Sequence, residues 1–254
     1  MQFTGCEYGN ACVIRYALDK NILFLLEWPT VYSLYCVFNM SGQKESIVLY
    51  TNHDSSPTWR VRIALALKGL QFERKYFRFH ESVEPAYYEV NPLGQIPAVE
   101  IDGDIITQSL AIIDYLDEKY PQPKLLPSDL KKRAKAREIS EIVNSGIQPP
   151  CNFYFYHYDD NIDEYTKQCK NTVEKGFVAI EKILEKVAGK FCIGNEITIA
   201  DVCLAPQVYR AIGFGVNIAL FPKISEIWKQ LCTVDAVRST HPDNEPDCPK
   251  AKTK

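Results

Sequence analysis

Apolar and polar positions fall into a regular pattern from Ile47 onward. Ile47–Tyr50 is an apolar run and Thr51–Ser56 a polar turn. From Pro57 to Lys68 apolar side chains recur at Val61, Ile63, Ala64, Leu65 and Leu67, which predicts strand, loop and helix in succession. Gly69 closes the helix and Phe72–Phe77 supplies a second strand, completing a βαβ unit. Further on, Ala98–Ile101 and Ile105–Thr107 flank Asp102-Gly103, turn chemistry suited to positive φ, and predict a hairpin. A helix over Leu110–Tyr120 then stops at Pro121.

Two strands around a helix, a hairpin and a closing helix make the thioredoxin-like order, and it spans residues 46–124. Beyond the proline-rich stretch Pro121–Asp129 the strand signal ends. Helical periodicity takes over in Lys131–Ser145, Tyr165–Val187 and Ile199–Ile212, so residues 125–240 read as an all-α domain followed by a polar tail over 241–254. The predicted fold is therefore an α+β thioredoxin-like domain followed by a helical one. Residues 1–45 stand apart as an extension. Its apolar stretch Asn21–Phe38 is interrupted by Glu27 and Pro29, whereas a membrane span wants about 20 apolar residues in a row. Met40 resembles a natural domain start, and the sequence leaves open whether the segment before it is a misplaced start or a weak targeting segment.

Composition narrows the function classes. With 254 residues, 46% of them hydrophobic, the chain can bury cores for two small domains. A formal net charge of -3 creates no field for gathering phosphates, so nucleic acid is not expected as a partner, and neither is a membrane. The basic run Lys131–Arg137 reads as a solvated helix face. Nine cysteines, an odd number without a C-x-x-C pair, predict reduced thiols and a cytoplasmic setting. His53, His80, His157 and His241 lack ligand spacing, and no metal is expected.

Three segments carry candidate chemistry. Ser55-Ser56-Pro57 lies between the first strand and the first helix, where unpaired N–H groups and the helix dipole favour an anion. Ser56 is the expected N-cap, with Pro57 at the first helical position. Ile96-Pro97 precedes a hairpin strand and predicts a cis-proline turn that offers the Ile96 backbone to an extended, peptide-like ligand. Gln108-Ser109 opens the next helix and makes a second anion site suited to a carboxylate. Taken singly, each is no more than a cap or a turn.

The stretch Ser55-Ser56-x-x-Trp59-Arg60-Val61-Arg62-Ile63-Ala64-Leu65-Ala66-Leu67-Lys68-Gly69 closely resembles the signature of zeta-class glutathione transferases, the maleylacetoacetate isomerases. The likeness continues through Asn91-Pro92, Gln95-Ile96-Pro97, Gln108-Ser109-Leu110-Ala111-Ile112-Ile113, Gly146-Ile147-Gln148-Pro149, Thr198-x-Ala200-Asp201 and His241-Pro242-Asp243. It implies the glutathione transferase fold, a homodimer, glutathione as cofactor and a small acidic or electrophilic substrate. By this resemblance Ser55 stabilises the thiolate with Ser56 beside it, and Ile96 pairs with the cysteinyl part. Gln108 and Ser109 hold the γ-glutamyl end, while Gln148 and Asn152 reach in from the helical domain. Thr198 and Asp201 fit a capping box, a structural role.

Two departures stand out. Pro57 replaces the cysteine that follows the two serines in the family, and Gly213 replaces its substrate-binding arginine. Arg210 lies three residues earlier on nearly the same helix face and is the candidate substitute. The aromatic run Phe153-Tyr154-Phe155-Tyr156-His157-Tyr158 reads equally as helix packing or as a more apolar pocket. The implied function is glutathione-dependent cis-trans isomerisation of maleylacetoacetate to fumarylacetoacetate in tyrosine and phenylalanine catabolism, conjugation of small electrophiles, or both. The alternative is a glutathione-binding paralogue with little or no turnover.

Overall fold

A computed structural model describes residues 7–8, 11–13, 25–27, 46–77, 85–158 and 160–249. They fall in two compact units, Met1–Glu45 and Ser46–Lys254. In the smaller unit, β1 (Glu7–Tyr8), β2 (Ala11–Val13) and β3 (Leu25–Glu27) form an antiparallel sheet in that order. Strands this short cannot display a period of two, and the sequence pattern predicts none of them. Most of the extension, and His80, lie outside the described residues.

The larger unit opens with β4 (Val48–Thr51), α1 (Ser56–Leu67) and β5 (Glu73–Tyr76). After α2 (Tyr87–Val90) come the hairpin β6 (Ala98–Ile101) and β7 (Asp104–Thr107), and then α3 (Ser109–Lys119). The sheet order is β5-β4-β6-β7, with β4 parallel to β5 and the other neighbours antiparallel. Local chemistry explains these elements. Asp102 and Gly103 take φ of 56° and 85°, as a two-residue hairpin loop between Ile101 and Asp104 requires. Gly69, at φ 68°, ends α1, and the Leu70 N–H turns back to the Leu65 carbonyl at 3.0 Å.

The helical part comprises α4 (Leu130–Glu141), a π-helical turn (Ile142–Ile147), α5 (Gln148–His157), α6 (Ile162–Val187), α7 (Ile199–Gly213), α8 (Pro222–Leu231) and α9 (Asp235–Ser239). The expected helix through Ser145 thus changes winding at Ile142. In α6 the buried Tyr165, Cys169, Val173, Phe177, Ile180 and Leu184 recur every three or four residues. By contrast, α7 is buried all round from Ile199 to Val208, because α1, α4 and α8 pack against it. One continuous core runs from Leu49 and Val99 of the sheet to Phe177 and Leu204 of the helices. Among the described residues, no helix is long and apolar enough to cross a membrane.

Candidate functional site

Strand register brings the three candidate segments to one end of the sheet. Tyr50, near the end of β4, pairs with Ala98 at the start of β6, and Ala98 pairs with Thr107 at the end of β7. The Ser55 turn leaves the sheet there, Ile96-Pro97 enters it there, and Gln108-Ser109 leaves it beside them.

In the first segment the N-cap is Ser55, not Ser56. Ser55 has extended backbone angles and its Oγ accepts the Thr58 N–H at 3.3 Å, which places Ser56 and Pro57 in the first turn. The cap shifts because the Asn52 carbonyl takes the Ser55 N–H at 3.2 Å and bends the chain one residue earlier. Ser55 is buried, yet its hydroxyl proton has no acceptor among the described residues, and the Ser56 hydroxyl has no hydrogen-bond partner among them. The turn is held from below by Arg62, which donates to Thr51 Oγ1 at 3.1 Å, the Asn52 carbonyl at 3.2 Å and the His53 carbonyl at 3.4 Å. Burial lowers the Arg62 pKa to about 10, with Glu245, 3.7 Å away, acting in the opposite direction.

The second segment is organised by Asn91. Its side chain donates to the Gln95 carbonyl at 2.6 Å and accepts the Leu93 N–H at 3.1 Å, while Tyr87 Oη donates to the same Gln95 carbonyl at 2.8 Å. The Ile96-Pro97 bond is cis, as expected, and neither polar backbone group of Ile96 has a partner among the described residues. In the third segment Gln108 takes φ 70°, an uncommon angle for a residue with a side chain, and stands at the N-cap position of α3 without a side-chain cap bond, with Ser109 buried behind it.

Arg60, fully buried in α1, ties these parts to the helical domain. It donates to Ser109 Oγ at 3.2 Å, to Asn144 Oδ1 in the π-helical turn at 2.8 Å, and to Gln148 Oε1 at the start of α5. The wider winding at Ile142–Ile147 accompanies this contact, as such turns often do near functional sites. Gln148 therefore faces Arg60, whereas Asn152, one turn on, is exposed. The arrangement provides the Ser56 N–H and the two serine hydroxyls at the start of α1, an uncapped N-terminus at α3 and an unpaired extended backbone, a fit for a peptide carrying carboxylates and a thiol.

Comparison with known proteins agrees with this geometry. Residues 49–124 match the family description "Glutathione S-transferase, N-terminal domain" and residues 147–236 match "Glutathione S-transferase, C-terminal domain". The chain is 43% identical to the maleylacetoacetate isomerase of Rattus norvegicus over 206 residues, 80% of this chain and 95% of that protein. It is 41% identical to glutathione S-transferase Z1 of Arabidopsis thaliana, covering 83% and 98%. A crystal structure of maleylacetoacetate isomerase from Anaeromyxobacter dehalogenans, with GSH bound in its active site, superposes with a TM-score of 0.74 at 34% identity, covering 82% of this chain and all of that one. The chain belongs to the zeta class of the glutathione S-transferase family.

In this zeta-class chain the departures from the family pattern have visible surroundings. Pro57 sits in the first turn of α1, where its missing N–H is no loss. A side chain at Gly213 would meet open space. Arg210 is engaged elsewhere: its Nη1 reaches both oxygens of Asp54 at 2.9 and 3.1 Å, and its guanidinium lies 5.3 Å from the centre of the Phe214 ring. Burial opposes the Arg210 charge, but Asp54 and, after it, the nearby Tyr165 outweigh it and raise the pKa. In the aromatic run Tyr154, Phe155 and Tyr158 pack on the core, and Phe153 is exposed and stacks on His157 at 5.4 Å.

No motif in the sequence marks Asp54, Arg60, Arg62, Asn144 or Tyr165 as part of the site. Two arginines at alternate positions within Trp59–Leu67, a run otherwise apolar, were the available signal. In such a run a charge is buried unless the helix has a wet face, and a buried charge demands fixed partners.

Proposed function

We propose that this zeta-class chain binds glutathione at the Ser55, Ile96 and Gln108 end of its sheet and isomerises maleylacetoacetate to fumarylacetoacetate, with conjugation of small electrophiles as a second outcome. The observation that carries the reading is the meeting of the Ser55 turn, the uncapped N-terminus of α3 and the unpaired Ile96 backbone at one sheet end. When bound, glutathione supplies a sulfur nucleophile that adds to a carbon double bond or displaces a leaving group.

The residues of the chain do the rest. Ser55 Oγ, fixed by its cap bond, donates its free proton to the sulfur, and Ser56 adds a second donor. Ile96 pairs with the cysteinyl backbone, and the N-terminus of α3 at Gln108 and Ser109 takes the γ-glutamyl carboxylate. Gln148 and Asn152 approach from α5, and Arg210 receives an acidic group of the substrate. The relatives named above carry enzyme names and span about four fifths of the chain, which disfavours a binding protein without turnover. The homodimer rests on the family resemblance, and sedimentation equilibrium tests it.

Calorimetry with glutathione, followed by turnover of maleylacetoacetate and of an uncharged aryl halide, tests the main reading. We expect a micromolar-to-millimolar Kd and turnover of at least one substrate. No heat at millimolar glutathione and no turnover of either substrate overturns it.

A further inference from the structure

Asp54 stands one residue before Ser55, and its carboxylate occupies the guanidinium that the proposed function assigns to the substrate. Both Asp54 oxygens lie within 3.1 Å of Arg210 Nη1, although the two residues are 156 positions apart in the chain. The pair is half exposed, with side-chain exposures of 36% for Arg210 and 52% for Asp54, so water and small solutes reach it. Arg210 is also held in place from behind. Phe214 lies under the guanidinium, and Tyr165 packs edge-on against Phe214 at 5.7 Å. The arginine thus has a rigid seat and one replaceable partner.

We infer that Asp54 is a specificity-determining residue: an internal carboxylate on Arg210 with which an acidic substrate must exchange, biasing the cleft toward electrophiles of lower charge. The inference rests on the proposed role of Arg210 at this site. Its physical basis is competition for a single guanidinium, whose Nη1 Asp54 already occupies. A dicarboxylate gains the charge-assisted contact only by releasing Asp54, and it then meets the Asp54 charge nearby. An uncharged electrophile incurs neither cost. Asp54 acts through Arg210 and is not a catalytic residue.

The test uses the full chain and succinate, a dicarboxylate without a reactive double bond, titrated by calorimetry in the absence of glutathione. Asp54→Asn is expected to tighten succinate binding about fivefold, the scale of a half-exposed ion pair. Asp54→Glu is expected to restore the wild-type Kd. In Arg210→Gln and in the Asp54→Asn/Arg210→Gln double variant the gain should be absent. With maleylacetoacetate and saturating glutathione, Asp54→Asn should lower KM and leave kcat near the wild-type value. An unchanged succinate Kd in Asp54→Asn overturns the inference. So does a gain that persists in the double variant, because the effect would then be bulk charge and not release of Arg210. Glutathione titration and turnover on the wild-type chain separate the two claims: no heat and no turnover there overturn the proposed function, while the succinate comparison still decides the role of Asp54.

Discussion

Ser55 serves two ends with one side chain: its oxygen caps α1, and its proton, without an acceptor among the described residues, is the donor proposed for the thiolate. Ser55→Ala should therefore lower glutathione-dependent kcat/KM by about 100-fold, the usual loss when one preorganised donor is removed, and lower stability by only about 1 kcal/mol for the lost cap. Parallel kinetics and thermal melting check both values, and equal activity would move the thiolate contact to Ser56. Pro57→Cys should change turnover far less. The vacant position at the end of α7 gives a second test. Gly213→Arg has room for its side chain and should improve turnover of dianionic maleylacetoacetate without helping an uncharged aryl halide. Arg210→Ala should impair the dianion selectively, and steady-state kinetics on both substrates would read out either change.

Among the elements, those built from neighbouring residues were legible and those built from distant partners were not. The Asp102-Gly103 loop, the Gly69 stop and the Thr198–Asp201 box are short-range patterns with fixed chemistry, and all three lie where the sequence predicts them. The N-cap of α1 lies one residue before the position the sequence predicts, because Ser55 and Ser56 are chemically alike and the choice depends on the Asn52 carbonyl. The π-helical turn had no signal, since its contact partner Arg60 lies 84 positions before Asn144.

The capping box can be tested as an element. Asp201 accepts from the Cys192 N–H and the Thr198 N–H at 2.8 Å, and from the Thr198 hydroxyl at 3.0 Å. Asp201→Ala leaves these buried donors without an acceptor and should cost about 3 kcal/mol, read from denaturant midpoints. Burial raises the Asp201 pKa despite those bonds. A raised folded-state pKa means the linked stability is complete below the ordinary carboxylate range and is lost as pH rises through the folded value. That part of the pH profile should be absent in Asp201→Ala.

At the scale of the whole molecule, residues 240–248 do more than trail behind the helices. Thr240 accepts from Trp59 Nε1 at 3.0 Å, Asp247 accepts the His53 N–H at 2.9 Å, and Glu245 lies 3.7 Å from Arg62 and 3.0 Å from Arg74. This segment forms a strap under the turn that carries Ser55. Removing the charge of Glu245, a residue only 1% exposed, strands the buried Arg62 guanidinium. Glu245→Gln should cost about 3 to 5 kcal/mol and weaken glutathione binding through the loosened turn. Denaturation and calorimetry measure the two effects separately. No periodicity or motif near Ser55 announces a partner so far along the chain, so the fold was readable from sequence and its fastenings were not.

The distance from His53 to Asp247 also sets an order of events during synthesis. The ribosome must add 194 further residues after His53 before the partner of that backbone N–H exists. At about 5–20 residues per second this is roughly 10 to 40 s, far longer than a helix or hairpin needs to form. The sheet end that presents Ser55, Ile96 and Gln108 is thus made early and fastened late. During that interval the nascent chain carries a nearly formed but unlocked turn, and a ligand present at that stage meets a looser site than the one in the finished molecule.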